Sequence, residues 1–257
     1  MDGTAAISIS GDPRAAKRAS PYRRFIIFTA SSHPPHGECV IIGGHLWSRI
    51  LATDLYLIRH AEQLSAAVPG GELISEDADE LSALGKWQAR RLAERLARTV
   101  RLDALYSSSL LRALETAQPL SELTRLETHI DGDLAELRIH LPSDITPQAA
   151  LEAWLRSWRV PTEPALPDGE SYAELQQRVA AVIGSIVLAH PDQKVAVVTH
   201  GGVMMALFRY FLGIPIDHVM PAWARVDHTA IFHWRSLQVQ DVSGWELVAA
   251  NDTHHLD

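Results

Sequence analysis

From residue 54 onward the chain alternates short unbroken apolar runs with longer amphipathic stretches. Leu55-Tyr56-Leu57-Ile58 and Val195-Ala196-Val197-Val198 read as strands buried on both faces, over 54–58 and 194–198. Ala104-Leu105-Tyr106 gives another short strand, and 228–250 reads as one or two terminal strands. The stretches between have helical spacing. Ser82 caps a helix that places Leu84, Gln88, Leu92 and Leu96 on one side, with Gly85 in its first turn and Ala89 and Ala93 allowing close packing. Ser109 is the expected cap of a second helix from about Leu110 to Leu123. Thr146-Pro147 opens a third, a capping threonine before a proline at the first helical position. Its Leu151, Trp154, Leu155 and Trp158 form an apolar stripe, with the tryptophans assigned to the core. After a proline-rich loop at 161–169, Ser171-Tyr172-Ala173-Glu174 has the spacing of a capping box. Leu175, Val179, Val182, Ile183 and Ile186 share one face of the helix behind it, and a further helix, Val203–Leu212, leaves Gly201-Gly202. Strands alternating with helices predict an α/β fold, a three-layer α/β/α sandwich whose central, mainly parallel sheet is covered on both faces.

Residues 1–52 break this pattern. They are rich in Ser, Pro, Gly and Arg with little periodicity, and are expected to form a poorly ordered extension, with a short strand or helix possible over 38–51. The whole chain is 47% hydrophobic and 21% charged, ample for a sizeable core. Its formal charge of −8 is uneven: residues 1–50 hold six basic and three acidic side chains, leaving −11 on the remainder. An acidic body argues against nucleic-acid binding, yet local cations in a cleft can still hold an anionic small molecule. Cys39 is the only cysteine, which excludes an intrachain disulfide and a cysteine-based metal site, and points to a reducing cytoplasm. The apolar run Phe25–Phe28 behind arginines 18, 23 and 24 is too short for a signal-peptide core, and no run approaches the length of a membrane span.

Two strands end in reactive side chains. The first delivers Arg59-His60 to its exit and the second delivers His200 followed by Gly201-Gly202. Ligands of open α/β sheets bind beyond the carboxyl ends of the strands, so adjacent strands would gather Arg59, His60 and His200 around one cationic space suited to a phosphate. Arginine offers phosphate oxygens a planar fork. Arg112 falls in the first turn of its helix, where a cation is disfavoured by the helix dipole unless an anion sits there too. Gly201 and Gly202 let backbone N–H groups approach an oxyanion.

These residues sit in segments that resemble the histidine phosphatase superfamily, the phosphoglycerate-mutase-like proteins. The matching pieces are Leu57-Ile58-Arg59-His60-Ala61-Glu62, Leu81-Ser82-Ala83-Leu84-Gly85 with Gln88-Ala89, and Tyr106 through Ala113 with Glu115-Thr116-Ala117. Gly169-Glu170-Ser171 with Arg178-Val179, and Val198-Thr199-His200-Gly201-Gly202, complete them in the family's order over roughly residues 54–213. The resemblance implies a phosphatase domain over 53–257 with a small cap at about 138–170, where the likeness is poorest and specificity would lie. It implies that His60 is the nucleophile, that Arg59, Arg112 and His200 bind the phosphoryl oxygens alongside Gly201, and that Glu136 is the acid, with Glu62 as a rival. Neither metal nor cofactor is required, the cations coming from the chain itself. Where the family often continues from the acid with glycine, this chain has Ile139-His140-Leu141-Pro142, and Ala66 stands where the mutases carry asparagine.

The expected function is hydrolysis of a small phosphate ester through a phosphohistidine. The short interval from His60 to His200 resembles the compact phosphatase branch, since mutases use extra lid segments to keep water from the phosphoenzyme. Mutase-type transfer and a non-catalytic binding protein on this fold are the alternatives. A serine hydrolase centred on Ser171 lacks the final glycine of the nucleophile elbow, and His33, His36, His254 and His255 lie in tails without a ligand set. Substrate identity and oligomeric state are not readable from the chain.

Overall fold

The computed structural model describes residues 41–42, 45–46, 51–64, 79–139, 145–219, 224–239 and 242–257. Two-residue strands β1 (Ile41–Ile42) and β2 (His45–Leu46) pair with each other. The main sheet then forms from β3 (Leu51–Arg59), β4 (Ala104–Ser108), β5 (Thr128–Asp131), β6 (Lys194–Thr199), β7 (Ile231–Val239) and β8 (Val242–Asp252) in the order β5-β4-β6-β3-β7-β8. β5, β4, β6 and β3 run parallel, while β7 and β8 add an antiparallel edge. The connecting helices are α1 (Ala83–Thr99), α2 (Leu111–Thr124), α3 (Pro147–Arg159), α4 (Tyr172–Ala189) and α5 (Gly201–Phe211).

Strand alternation divides the core. Leu55, Leu57, Val195 and Val197 pack with α4 and α5 on one face, through Leu175, Val179, Ile183, Val203 and Leu207. Tyr56, Ile58, Ala196 and Val198 turn to the other face, against Leu92, Ala93 and Leu96 of α1 and Ala113, Ala117 and Leu120 of α2. Burial of side chains from both faces of the same strands is what makes β3 and β6 continuous apolar runs. The three layers expected from the sequence are present, with the parallel part central and the antiparallel pair at one edge.

Ser82 caps α1 by accepting from the Gly85 N–H, Thr146 caps α3, and Ser171 and Glu174 form a complete capping box on α4. Several expectations need correction. Ser109 is exposed and does not cap α2; Leu110 holds the cap position without a side-chain bond, and Ser108 Oγ accepts the Leu110 N–H at 3.3 Å. Both glycines lie inside α5, which starts at Gly201 and not at Val203. Leu84 is about half exposed: α1 buries Gly85, Gln88, Ala89, Leu92, Ala93 and Leu96, because a stripe of small residues lets it lie close to its neighbours. Leu151 is also exposed, α3 burying Ala153 and Ser157, while the Trp158 ring lies tilted against Tyr172 with ring centroids 4.9 Å apart. The side chain of Trp154 lies outside the described set, as do His33, His36, Ala66 and residues 140–144 of the cap region.

One contact ties the fold to the site. A Cβ at Gly85 would meet the Glu62 carbonyl oxygen at 2.0 Å, so only glycine lets α1 press against the segment that follows His60.

Candidate active site

β3 and β6 pair in register from Asp54↔Lys194 to Arg59↔Thr199, so the residues that follow, His60 and His200, emerge side by side. The His60 N–H continues the ladder to Thr199 O at 2.8 Å. The two imidazole centroids are 5.1 Å apart. Both rings are buried, at 4% and 0% exposure. His60 Nδ1 lies 2.8 Å from the Ala61 carbonyl oxygen, which can only accept, so Nδ1 carries the proton and Nε2 holds the lone pair. His200 Nε2 pairs with Ser108 Oγ at 2.8 Å at the end of β4, and its Nδ1 is buried with no hydrogen-bond partner among the described residues.

The cations surround these rings. Arg59 sends one guanidinium nitrogen to the Val226 carbonyl at 2.7 Å, while its buried Nε has no hydrogen-bond partner among the described residues. Its guanidinium passes within 4 Å of the position a Cβ would take at Gly201. Arg112, buried in the first turn of α2, acts electrostatically on both histidines and on Arg59. Burial first, then Arg112 and Arg59, holds His60 well below the ordinary imidazole range. His200 is also held well below that range, by burial first and then by His60 and the two arginines. Both rings are neutral at neutral pH, the form in which His60 Nε2 is a nucleophile.

Glu136 reaches the same exit from the loop behind β5. Its Oε2 accepts the Gly202 N–H at 2.9 Å and its Oε1 accepts the Leu137 N–H at 2.8 Å. The loop is pinned from behind. Thr199 Oγ1 donates to Leu134 O, and Arg178 donates to the carbonyls of Asp133, Ala135 and Glu136 while gripping Glu170 with Nε and a terminal nitrogen. Glu62, the rival acid, is engaged elsewhere, its Oε1 accepting from Ser82 Oγ at 2.7 Å. The loop after His60 is held by Thr116 Oγ1, which accepts the Ala61 N–H.

All five residues singled out from the sequence, together with Gly201, meet at this one end of the sheet. Three further groups were given no role from the sequence, although Ser108 and Arg178 lie in the segments that resemble the family. Ser108 bonds His200, and Arg178 holds the loop that carries Glu136. His228 stands 5.7 Å from His60 between ring centroids, its pKa pushed down to about 4 by burial and by Arg59. The neighbouring Thr229 is a β-branched residue at φ 57°, a strained conformation kept by its bonds to the Arg59 and His60 carbonyls and to His255. Only a histidine placed just before an apolar strand start marked this position in the sequence. Among the described residues no group of three or more His, Cys, Asp or Glu is placed to hold a metal ion, and no helix is long and apolar enough to cross a membrane.

A parallel sheet whose strand exits bring two neutral histidines, two arginines and a carboxylate together defines a phosphoryl-handling α/β protein. The model of the histidine phosphatase superfamily (branch 1) matches residues 55–253, and the chain belongs to that family. The probable phosphoglycerate mutase GpmB of Yersinia pestis is 30% identical over 216 residues, 79% of this chain and 95% of that one. Bacillus stearothermophilus YhfR superposes with a TM-score of 0.67 at 28% identity, over 80% of this chain and all of that one. A mycobacterial glucosyl-3-phosphoglycerate phosphatase, solved with VO3, gives a TM-score of 0.64 at 27% identity over 77% of this chain and 98% of the other.

Proposed function

We propose that the chain is a phosphomonoester hydrolase that forms a phosphohistidine on His60 from a small phosphorylated metabolite. The observation that carries this reading is the Nδ1 contact of His60 with the Ala61 carbonyl, which leaves an unprotonated Nε2 beside His200 and two arginines. Nε2 attacks phosphorus as the ester P–O bond breaks, and Glu136 protonates the departing alkoxide. Glu136 then takes a proton from water, whose oxygen attacks phosphorus and breaks the P–N bond, releasing phosphate and the free imidazole. Arg59, Arg112, His200 Nδ1 and the N–H groups at the start of α5, Gly201 first, hold the equatorial oxygens through both steps. The charge that a metal would supply comes from the two guanidinium groups, so turnover is independent of added metal and survives chelator. The substrate is a small ester, not nucleic acid, and the setting is the cytoplasm.

Phosphoglycerate mutase-type transfer is the second reading, favoured by the name of the 30% identical relative. Phosphate release from phosphomonoesters in chelator, without a bisphosphorylated primer, separates the two. A His60→Ala protein that folds but forms no acid-labile phosphoenzyme and loses turnover is the expected result. Hydrolysis at the parent rate in that variant would overturn the proposal.

A further inference from the structure

Gly202 is the second residue of α5, with His200 as the helix cap, so its N–H belongs to the first turn and has no partner within the helix. That N–H donates to Glu136 Oε2 at 2.9 Å. A Cβ built on Gly202 would fall 2.2 Å from Glu136 Oε1, 3.0 Å from its Cδ and 3.2 Å from Oε2. The carboxyl group therefore occupies the volume a side chain at 202 would fill. We infer that Gly202 is the seat of the catalytic acid: it positions the Glu136 carboxyl at the mouth of the phosphoryl site by offering a backbone N–H and an absent side chain at the same point. The inference rests on the reading of Glu136 as the acid and adds a positioning residue to it.

The seat does not use up the acid. A carboxyl oxygen that accepts one N–H keeps a further lone pair, so each oxygen can still carry or receive the substrate's proton. The positive end of the α5 dipole also faces the carboxyl, as at any helix start that holds an anion. The backbone of Glu136 is fixed independently of the seat by Arg178 and Thr199. The atoms that a new Cβ would strike are the far end of a flexible side chain, not backbone. A methyl group at 202 is thus accommodated by swinging the carboxyl aside: fold and phosphate contacts remain, and the acid alone is misplaced.

Leaving groups distinguish this from a general structural role. Breaking the bond to an aliphatic alcohol needs a proton donor, whereas 4-nitrophenolate leaves without one. Gly202→Ala should cut kcat/KM, which reports phosphorylation of His60 alone, by about a hundredfold or more on an alkyl phosphate and by less than about fivefold on 4-nitrophenyl phosphate, while kcat falls on both because water attack also uses Glu136. Glu136→Gln should show the same split, and the double variant should be no slower than either single one. Equal losses of kcat/KM on both substrates in Gly202→Ala, or no loss of kcat/KM on the alkyl ester, would overturn the seat. If Gly202→Ala does not fold, the Gly202 amide resonance of the parent decides. It should move on Glu136→Gln substitution, and an unmoved resonance overturns the inference. Failure of the underlying reading looks different, because there Glu136→Gln shows no split in kcat/KM between the two esters.

Discussion

Ser108→Ala tests whether the second histidine is positioned from β4. Ser108 is fully buried, and its Oγ lies 2.8 Å from His200 Nε2 while also accepting the Leu110 N–H at 3.3 Å. Removing the hydroxyl leaves an imidazole with 0% exposure and no partner for either ring nitrogen. A buried polar group stripped of its hydrogen bond costs about 1–3 kcal/mol, and the long Leu110 contact adds little. For a domain of this size about 2 kcal/mol lowers Tm by about 4–8 °C. Ser107→Ala is the internal control. Ser107 is equally buried, but among the described residues its Oγ bonds only the adjacent Ser108 carbonyl, at 3.0 Å, so that variant keeps the contact between Ser108 and His200. The Ser108 hydroxyl also selects the His200 tautomer, and without it kcat/KM should fall by about ten- to a hundredfold as one oxyanion donor is misaligned. Thermal unfolding, 15N shifts of the His200 ring and phosphatase kinetics report the three effects. An Ser108→Ala protein with parent Tm, parent ring shifts and parent kinetics would refute the reasoning.

Two further outcomes follow from groups away from the acid. Asp54 is 1% exposed and accepts from His233 Nε2 at 2.7 Å and Arg235 Nε at 3.0 Å across the β3–β7 pair. Asp54→Asn removes the buried charge that His233 and Arg235 share, Arg235 keeping Glu246 at 3.3 Å, and should cost about 3 kcal/mol in urea unfolding, with activity per folded molecule preserved; a loss below about 1 kcal/mol would contradict it. His60 and His200 are neutral in the fold and bind protons near pH 6.5 once unfolded, so the unfolded state takes up more protons as pH falls and stability declines below about pH 6.5. Each of the two contributes a loss of about 1.4 kcal/mol per pH unit over that range. Urea midpoints equal at pH 7.5 and pH 5.5 would sink this account.

The parts of this molecule that were legible in the sequence are those where one residue type answers to one physical demand. β3 and β6 are unbroken apolar runs because helices cover both faces, and Ser82, Thr146 and Ser171 are caps because orphan N–H groups need an acceptor. Arg59-His60 and His200-Gly201-Gly202 stood out because polar side chains end these runs. β5 was not legible: it is an edge strand whose Ile130 is 61% exposed, so Thr128-His129-Ile130-Asp131 carries no alternation to read. Nor was the displacement of the buried faces of α1 and α3. Small residues such as Gly85, Ala89, Ala153 and Ser157 mark where helices come closest, and a search for large apolar side chains passes over them. Contacts made across the chain were invisible altogether. The Ser108–His200 bond joins residues 92 apart and the Gly202–Glu136 bond joins residues 66 apart, with no local spacing to record them.

The same burial that prepares the nucleophile also explains how charge is apportioned in the site. The guanidinium group is charged at any working pH. The imidazoles beside Arg59 and Arg112 therefore yield, and His60 is left neutral without needing a base to deprotonate it. In serine- or cysteine-based sites a separate histidine must activate the nucleophile; here burial comes first in keeping His60 neutral, and Arg112 and Arg59 add repulsion. On the proposed reading an incoming phosphate dianion would offset that repulsion, and His200, whose Nδ1 has no hydrogen-bond partner among the described residues, would take a proton and donate it to a phosphoryl oxygen. Arg112 and Arg59 can lie beside two histidines because the rings, not the guanidinium groups, give up their charge. The cost of keeping those rings neutral appears as the loss of acid stability that titration should record.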